Sequence, residues 1–164
     1  MAEPDDRDRG GRLYLEDFHV GQRFTSATHV MDAEEIKAFA RQFDPQPFHL
    51  DEAAAKETFF GGLVASGWHT AAVTMRLQVE SGLPIAGGMI GIGGEMSWPR
   101  PTRPGDILRV VSEILEVTPS RSRPDRGAVR ARSETRNQRD EVVQILDARL
   151  LVPRRAEPGA GARA

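Results

Sequence analysis

The chain has 164 residues, 39% apolar and 28% charged, with 24 acidic and 22 basic side chains and a formal net charge of −2. That balance suits one globular domain with a real core, and it leaves no basic footprint for nucleic acid and no polybasic patch for a membrane surface. Cysteine is absent, which excludes disulfides, thiolate zinc sites and a cysteine nucleophile.

Residues 1–12 are charged and Gly-rich, and a disordered tail is expected there. This polar start is unlike a signal peptide, and no apolar run is long enough to span a bilayer, so the expectation is a soluble cytoplasmic protein. Phe24, Thr28 and Val30 predict a strand after a turn at Gly21. Asp32 then opens a helix, with Glu35 three residues on as in a capping box. Ile36, Phe39, Ala40 and Phe43 give that helix one apolar face. Pro45 and Pro47 stop it near Asp44, and residues 44–50 are predicted to be a stiff, extended loop.

Asp51 is placed to cap a short helix over 52–58, which Gly61 and Gly62 break. Residues 63–65 form an extended link. A long helix is predicted from Gly67 to Glu80. Trp68, Ala71 or Ala72, Met75 and Val79 line one face, and Val73 and Leu77 add apolar surface elsewhere, so the helix is expected to be mostly buried. Strand-like runs follow over 89–98, 106–117, 128–136 and 141–152, with turn signals between them. The end of the chain, from 154, is expected to be flexible.

Helices in one segment and strands in another indicate an α+β domain over 13–153, with an antiparallel sheet wrapped around the long helix. A single sheet around one helix leaves an open side, so a homodimer or higher homo-oligomer is expected.

Asp44 and His49 are the first candidates for chemistry. A carboxylate and an imidazole on a restrained segment can bind a water, take one proton from it and give another back. The plainer alternative is that Asp44 closes a turn and His49 is a half-buried loop residue, and the pair taken alone fits that account better. Gly67 is the second candidate. Amides at a helix start point outward with the positive end of the dipole, and glycine lets a ligand oxygen approach. Its alternative is a packing glycine after an N-cap at Ser66.

His19, His29 and His69 lack metal-ligand spacing and are taken as structural or surface residues. The glycines over 87–94 fit no nucleotide-binding pattern and are expected in a strand, at a bulge or where another backbone comes close. Arg121, Arg123 and Arg126 could meet a phosphate-bearing substrate, but a solvated hairpin tip is the expectation, and Arg100 or Arg103 is likewise read as ordinary surface charge after a strand end.

The run D-P-Q-P-F-H-L-D, followed by F-G-G-L-V-A-S-G, resembles the hydratase motif of MaoC-like dehydratases, the (R)-specific enoyl-CoA hydratase group of the hot-dog fold. The later W-P-R-P-T-R-P-G-D-I-L is similar to that family's strand and turn after the central helix. The likeness covers 13–152. It implies reversible hydration and dehydration of an enoyl-CoA thioester, with no metal and no cofactor beyond the CoA that carries the substrate. It also implies that Asp44 and His49 activate water and that the Gly67 amide holds the thioester oxygen.

Gln46 stands where the family often has Asn, and Ser66 where it often has His. These two and Trp68 would lie beside the substrate. An acyl-CoA thioesterase is one alternative on this fold, but the helix entry S-G-W-H-T lacks the carboxylate it often uses, and Glu80 lies at the far end. A non-catalytic acyl-CoA-binding or dimerisation module is another, and the Asp44/His49 pair argues against it. The expected partners are therefore an acyl-CoA and a second copy of the chain, with no nucleic acid and no membrane.

Overall fold

The computed structural model describes residues 11–156. The expected tails lie largely outside the described residues. After a 3-10 turn at Leu15–Asp17, the order is β1 (Arg23–Thr25), β2 (His29–Val30), α1 (Ala33–Phe43), α2 (Pro47–Leu50), α3 (Glu52–Lys56) and α4 (Gly67–Leu77). A π turn, Gln78–Gly82, extends α4. β3 (Ile90–Ser97), β4 (Ile107–Pro119), β5 (Arg126–Arg136) and β6 (Val142–Pro153) complete the chain. The chain stays attached beyond the expected end at 153. Arg154 Nε donates to Glu16 Oε1 at 3.0 Å, and Arg155 Nη2 to Asp17 Oδ2 at 2.7 Å.

The sheet runs β1-β4-β5-β6-β3, all antiparallel, with β2 also on β4. Alternation sets which side chains face in: Leu108, Val110, Ser112 and Ile114 of β4 are buried, as are Val129, Ala131, Ser133 and Thr135 of β5. Two apolar clusters form the core. One joins Met31, Ile36, Leu63 and Leu77 to Leu108 and Val110, and the other joins Leu15, Leu83 and Ile85 to Ile114 and Val129. β3 is an outer strand. A bulge falls between Gly91 and Gly93, and a Cβ on Gly94 would sit 2.7 Å from the Asp147 carbonyl. The glycines thus serve the close backbone approach that the sequence suggested.

Three expectations need correction. The 44–50 segment is not wholly extended, because Pro47 opens α2. Proline at a first helical position loses no needed N–H and has its φ already set. Asp32 does cap α1, accepting from the Glu34 and Glu35 amides at 3.1 and 3.2 Å. Glu35 closes no capping box, however, because its carboxylate bonds His29 Nε2 at 3.0 Å.

The third correction concerns α4. Trp68 is 63% exposed, Met75 44% and Val79 57%, so the predicted apolar face is not buried within the chain. The packed side holds Thr70, Val73, Thr74 and Leu77, then Gln78. Thr70 Oγ1 donates to Thr102 Oγ1 at 3.0 Å, Thr74 Oγ1 lies 2.6 Å from Thr135 Oγ1, and Gln78 Nε2 donates to Ser133 Oγ at 2.7 Å. These partners satisfy polar groups that would otherwise be costly to bury.

Candidate active site

The site lies where α1, α2 and the start of α4 meet. The Asp44 amide makes the closing bond of α1, to Ala40 O at 2.9 Å. Pro47 starts α2, which carries His49 inward to a buried position. The link before α4 is stitched on both sides. The Val64 amide donates to Phe48 O at 3.1 Å, and the Ala65 amide donates to Thr102 O at 2.8 Å.

His49 Nδ1 lies 2.7 Å from the Val64 carbonyl. A carbonyl only accepts, so Nδ1 carries the proton, and Nε2 is left to exchange protons. Nε2 is 3.3 Å from Asp44 Oδ2. Two donors hold that carboxylate at closer range: Ser66 Oγ on Oδ2 and Gln46 Nε2 on Oδ1, each at 2.7 Å. Burial pushes the Asp44 carboxyl up, but the hydrogen bonds from Ser66 and Gln46 and the adjoining His49 outweigh it. The net pKa is below the usual aspartate value, so Asp44 is ionised at neutral pH.

Ser66 has two roles. Its Oγ accepts from the Trp68 amide at 3.2 Å, as an N-cap, while donating its proton to Asp44. The two departures noted in the sequence, Gln46 and Ser66, are thus the two donors on Asp44.

The Gly67 amide lies in the first turn of α4 and has no hydrogen-bond acceptor among the described residues. Packing alone requires glycine there. A Cβ on Gly67 would sit 2.8 Å from Cε2 of Trp98, inside any tolerable contact. The Trp98 indole is itself anchored, with Nε1 donating to buried Gln144 Oε1 at 2.9 Å, and Gln144 Nε2 donating to Thr74 Oγ1 at 3.1 Å. Sequence reasoning missed Trp98 and Gln144. The W-P-R-P run was the available signal for Trp98; nothing in the sequence marked Gln144.

Asp44, Gln46, His49, Gly67, Trp68 and Trp98 line one cavity of about 400 Å³. Ser66 does not line it and acts from behind Asp44. A second cavity, of about 360 Å³, lies between α4 and β3, lined by apolar groups such as Met75, Met89 and Leu146. Trp68 lines both, and its ring meets Trp98 edge-on at 5.6 Å.

Among the described residues no cluster of His, Asp or Glu suits a metal ion. His19 is exposed, His29 pairs with Glu35, and His69 is buried under the Phe39 ring at 4.7 Å. Glu80 is exposed, pairs with Arg76 and lines neither cavity. Arg121 and Arg123 are exposed between β4 and β5, where Arg126 pairs with Asp125.

An antiparallel sheet around one central helix is the hot-dog arrangement. The comparisons agree. Residues 17–137 match the model of the MaoC like domain. A crystal structure of the MaoC-like dehydratase from Rhodospirillum rubrum is 62% identical, with a TM-score of 0.86, covering 88% of this chain and 99% of that one. The 3-hydroxybutyryl-CoA dehydratase of Methylorubrum extorquens is 31% identical over 151 residues, 88% of this chain and 87% of the relative. The unliganded R-hydratase PhaJ1 from Pseudomonas aeruginosa is 26% identical with a TM-score of 0.71, covering 93% and 97%. The chain belongs to the MaoC-like dehydratase family.

Proposed function

We propose that this protein adds water reversibly across the α,β double bond of an enoyl-CoA. The observation that carries the reading is the Asp44/His49 pair, with the proton of His49 fixed on Nδ1 and the Asp44 carboxylate kept ionised, in one cavity with the Gly67 amide. A water seated between Asp44 and His49 Nε2 loses a proton to this pair as its oxygen bonds to the β-carbon. The electron pair of the double bond moves toward the thioester oxygen, where the Gly67 amide and the helix dipole stabilise the developing charge. The pair then returns a proton to the α-carbon, so water is added with no net change in the protein.

The MaoC family membership supports the reaction class, and the 3-hydroxybutyryl-CoA dehydratase relative supports a CoA thioester as substrate. The apolar cavity beyond Trp68 suits an acyl chain. A second copy of the chain is part of the proposal. The exposed flank of α4 (Trp68, Met75, Val79) and the outer strand β3 with exposed Ile90 and Ile92 offer one apolar surface and one open sheet edge.

The test is loss of enoyl absorbance with crotonyl-CoA and a longer enoyl-CoA. Wild type should hydrate, and Asp44→Asn and His49→Ala should each lose at least about 100-fold in kcat. Wild-type turnover by folded Asp44→Asn would refute the catalytic assignment.

A further inference from the structure

The catalytic cavity opens between two loops. Loop 57–62 carries Phe59 and Phe60, and loop 98–104 carries Arg100 and Arg103. Arg103 fastens one to the other, its Nη2 donating to the Phe60 carbonyl at 2.8 Å. Phe60 turns inward against Phe48, with ring centroids 5.2 Å apart. Phe59 lines the same cavity yet is 98% exposed.

Arg100 also lines the cavity, held between Pro99 and Pro101. Many arginines of this chain sit on a carboxylate, as in Arg23–Glu113, Arg109–Asp140 and Arg130–Asp147. Among the described residues Arg100 has no such partner. Glu141 feels its charge but is bonded to Asn137 and Arg139. Arg12, Arg41, Lys56, Arg103, Arg121, Arg123 and Arg149 also lack an ion pair among the described residues; none of them lines either cavity, and the guanidinium of Arg103 is taken up by the Phe60 carbonyl.

We infer that this mouth is the subsite for the nucleotide end of CoA, with Arg100 on the phosphates and Phe59 offering its ring to the adenine. The inference rests on the thioester reading above. With the thioester at Gly67, the uncharged pantetheine arm fills the cavity, and the phosphates emerge at its rim. A guanidinium there matches phosphate geometry in a two-pronged contact. An exposed aromatic ring gives a base a stacking face. The flanking prolines restrict the backbone at Arg100 and so lower the backbone share of what ordering it costs. A chain of net charge −2 has no global attraction for a polyanion, so local cations must supply it.

The test uses calorimetric binding of free CoA, with no reaction involved, beside hydration kinetics. Arg100→Gln should weaken CoA about 10-fold and raise KM for crotonyl-CoA by a similar factor. Phe59→Ala should weaken CoA about 5-fold. Added salt should weaken wild type more than Arg100→Gln. The KM for crotonyl-N-acetylcysteamine, which has no phosphate and no adenine, should not follow these changes. Arg121→Gln is the surface control.

Equal CoA affinity in wild type, Arg100→Gln and Phe59→Ala overturns the inference, whatever the hydration assay shows. An Arg100 effect confined to a crotonyl carrier protein, absent with CoA, overturns it in favour of a protein-borne thioester. Arg100-dependent CoA binding in a protein that hydrates nothing leaves the subsite standing and removes the hydratase reading alone.

Discussion

Around α4, the side chains turned to the sheet include Thr70, Thr74 and Gln78, and those left exposed include Trp68, Met75 and Val79. An apolar stripe on a surface helix ordinarily marks its packed side. Here hydrogen bonds to Thr102, Thr135 and Ser133 hold much of the packed side. Such bonds are directional, so they fix the rotation and register of the helix more closely than apolar contact does. That suits a helix whose first amide is proposed to hold a substrate oxygen. The other flank leaves its apolar area exposed, as the proposed association would need, since such association depends on area and little on angle.

The largest expected effect breaks the apolar flank. Met75→Asp with Val79→Asp should turn a dimer into a folded monomer, seen by sedimentation with far-UV circular dichroism as the folding control. A monomeric wild type would remove the assembly reading. Next, Thr74→Val keeps volume but strands Thr135 and Gln144, and should cost about 2 kcal/mol in chemical denaturation. Met75→Ala, compared in the monomeric background, should cost far less. Equal losses would erase the contrast between the two faces.

A smaller effect tests Gly67. Gly67→Ala should lose roughly 1–2 kcal/mol through overlap with Trp98, and about 10-fold in kcat as the amide shifts. Trp98→Leu in the same chain should recover part of both. No recovery would mean that glycine is needed for the ligand and not for the indole.

The smallest effect is in His69. Burial lowers its pKa, Glu35 opposes the change, and His29 adds to it, for a net value below 6.5. The unfolded chain therefore binds more protons in the window below pH 6.5. Its contribution to stability is full above that pH and shrinks as pH falls toward the folded pKa. His69→Phe should flatten the change in unfolding free energy between about pH 7.5 and about pH 5.5. An unchanged slope would place that dependence elsewhere.

Much of this was legible from residue type. Asp32 and Asp51 cap the helices that they were expected to cap, and the D-P-Q-P-F-H-L-D run does bring Asp44 beside His49. Pro47 misled because proline ends one helix and starts the next by the same chemistry. The Thr70–Thr74–Gln78 stripe was invisible for a deeper reason. Hydropathy treats such side chains as surface, and only the register of β4 and β5 supplies Ser112, Ser133 and Thr135 as partners. Gly67 was singled out, but the indole that makes it necessary comes from 31 positions later (67 to 98) and depends on β3 packing.

One consequence follows from the Val64 carbonyl that orients His49. A main-chain atom belongs to every amino acid, so the tautomer of His49 is insulated from side-chain mutation at position 64. A saturation library should return active clones there for any residue that fills the buried space. Proline is the exception, since it deletes the amide that bonds Phe48 O at 3.1 Å. On the proposed mechanism, drift at that position should be silent in the chemistry, whereas changes at Asp44, His49 and Ser66 should lower activity.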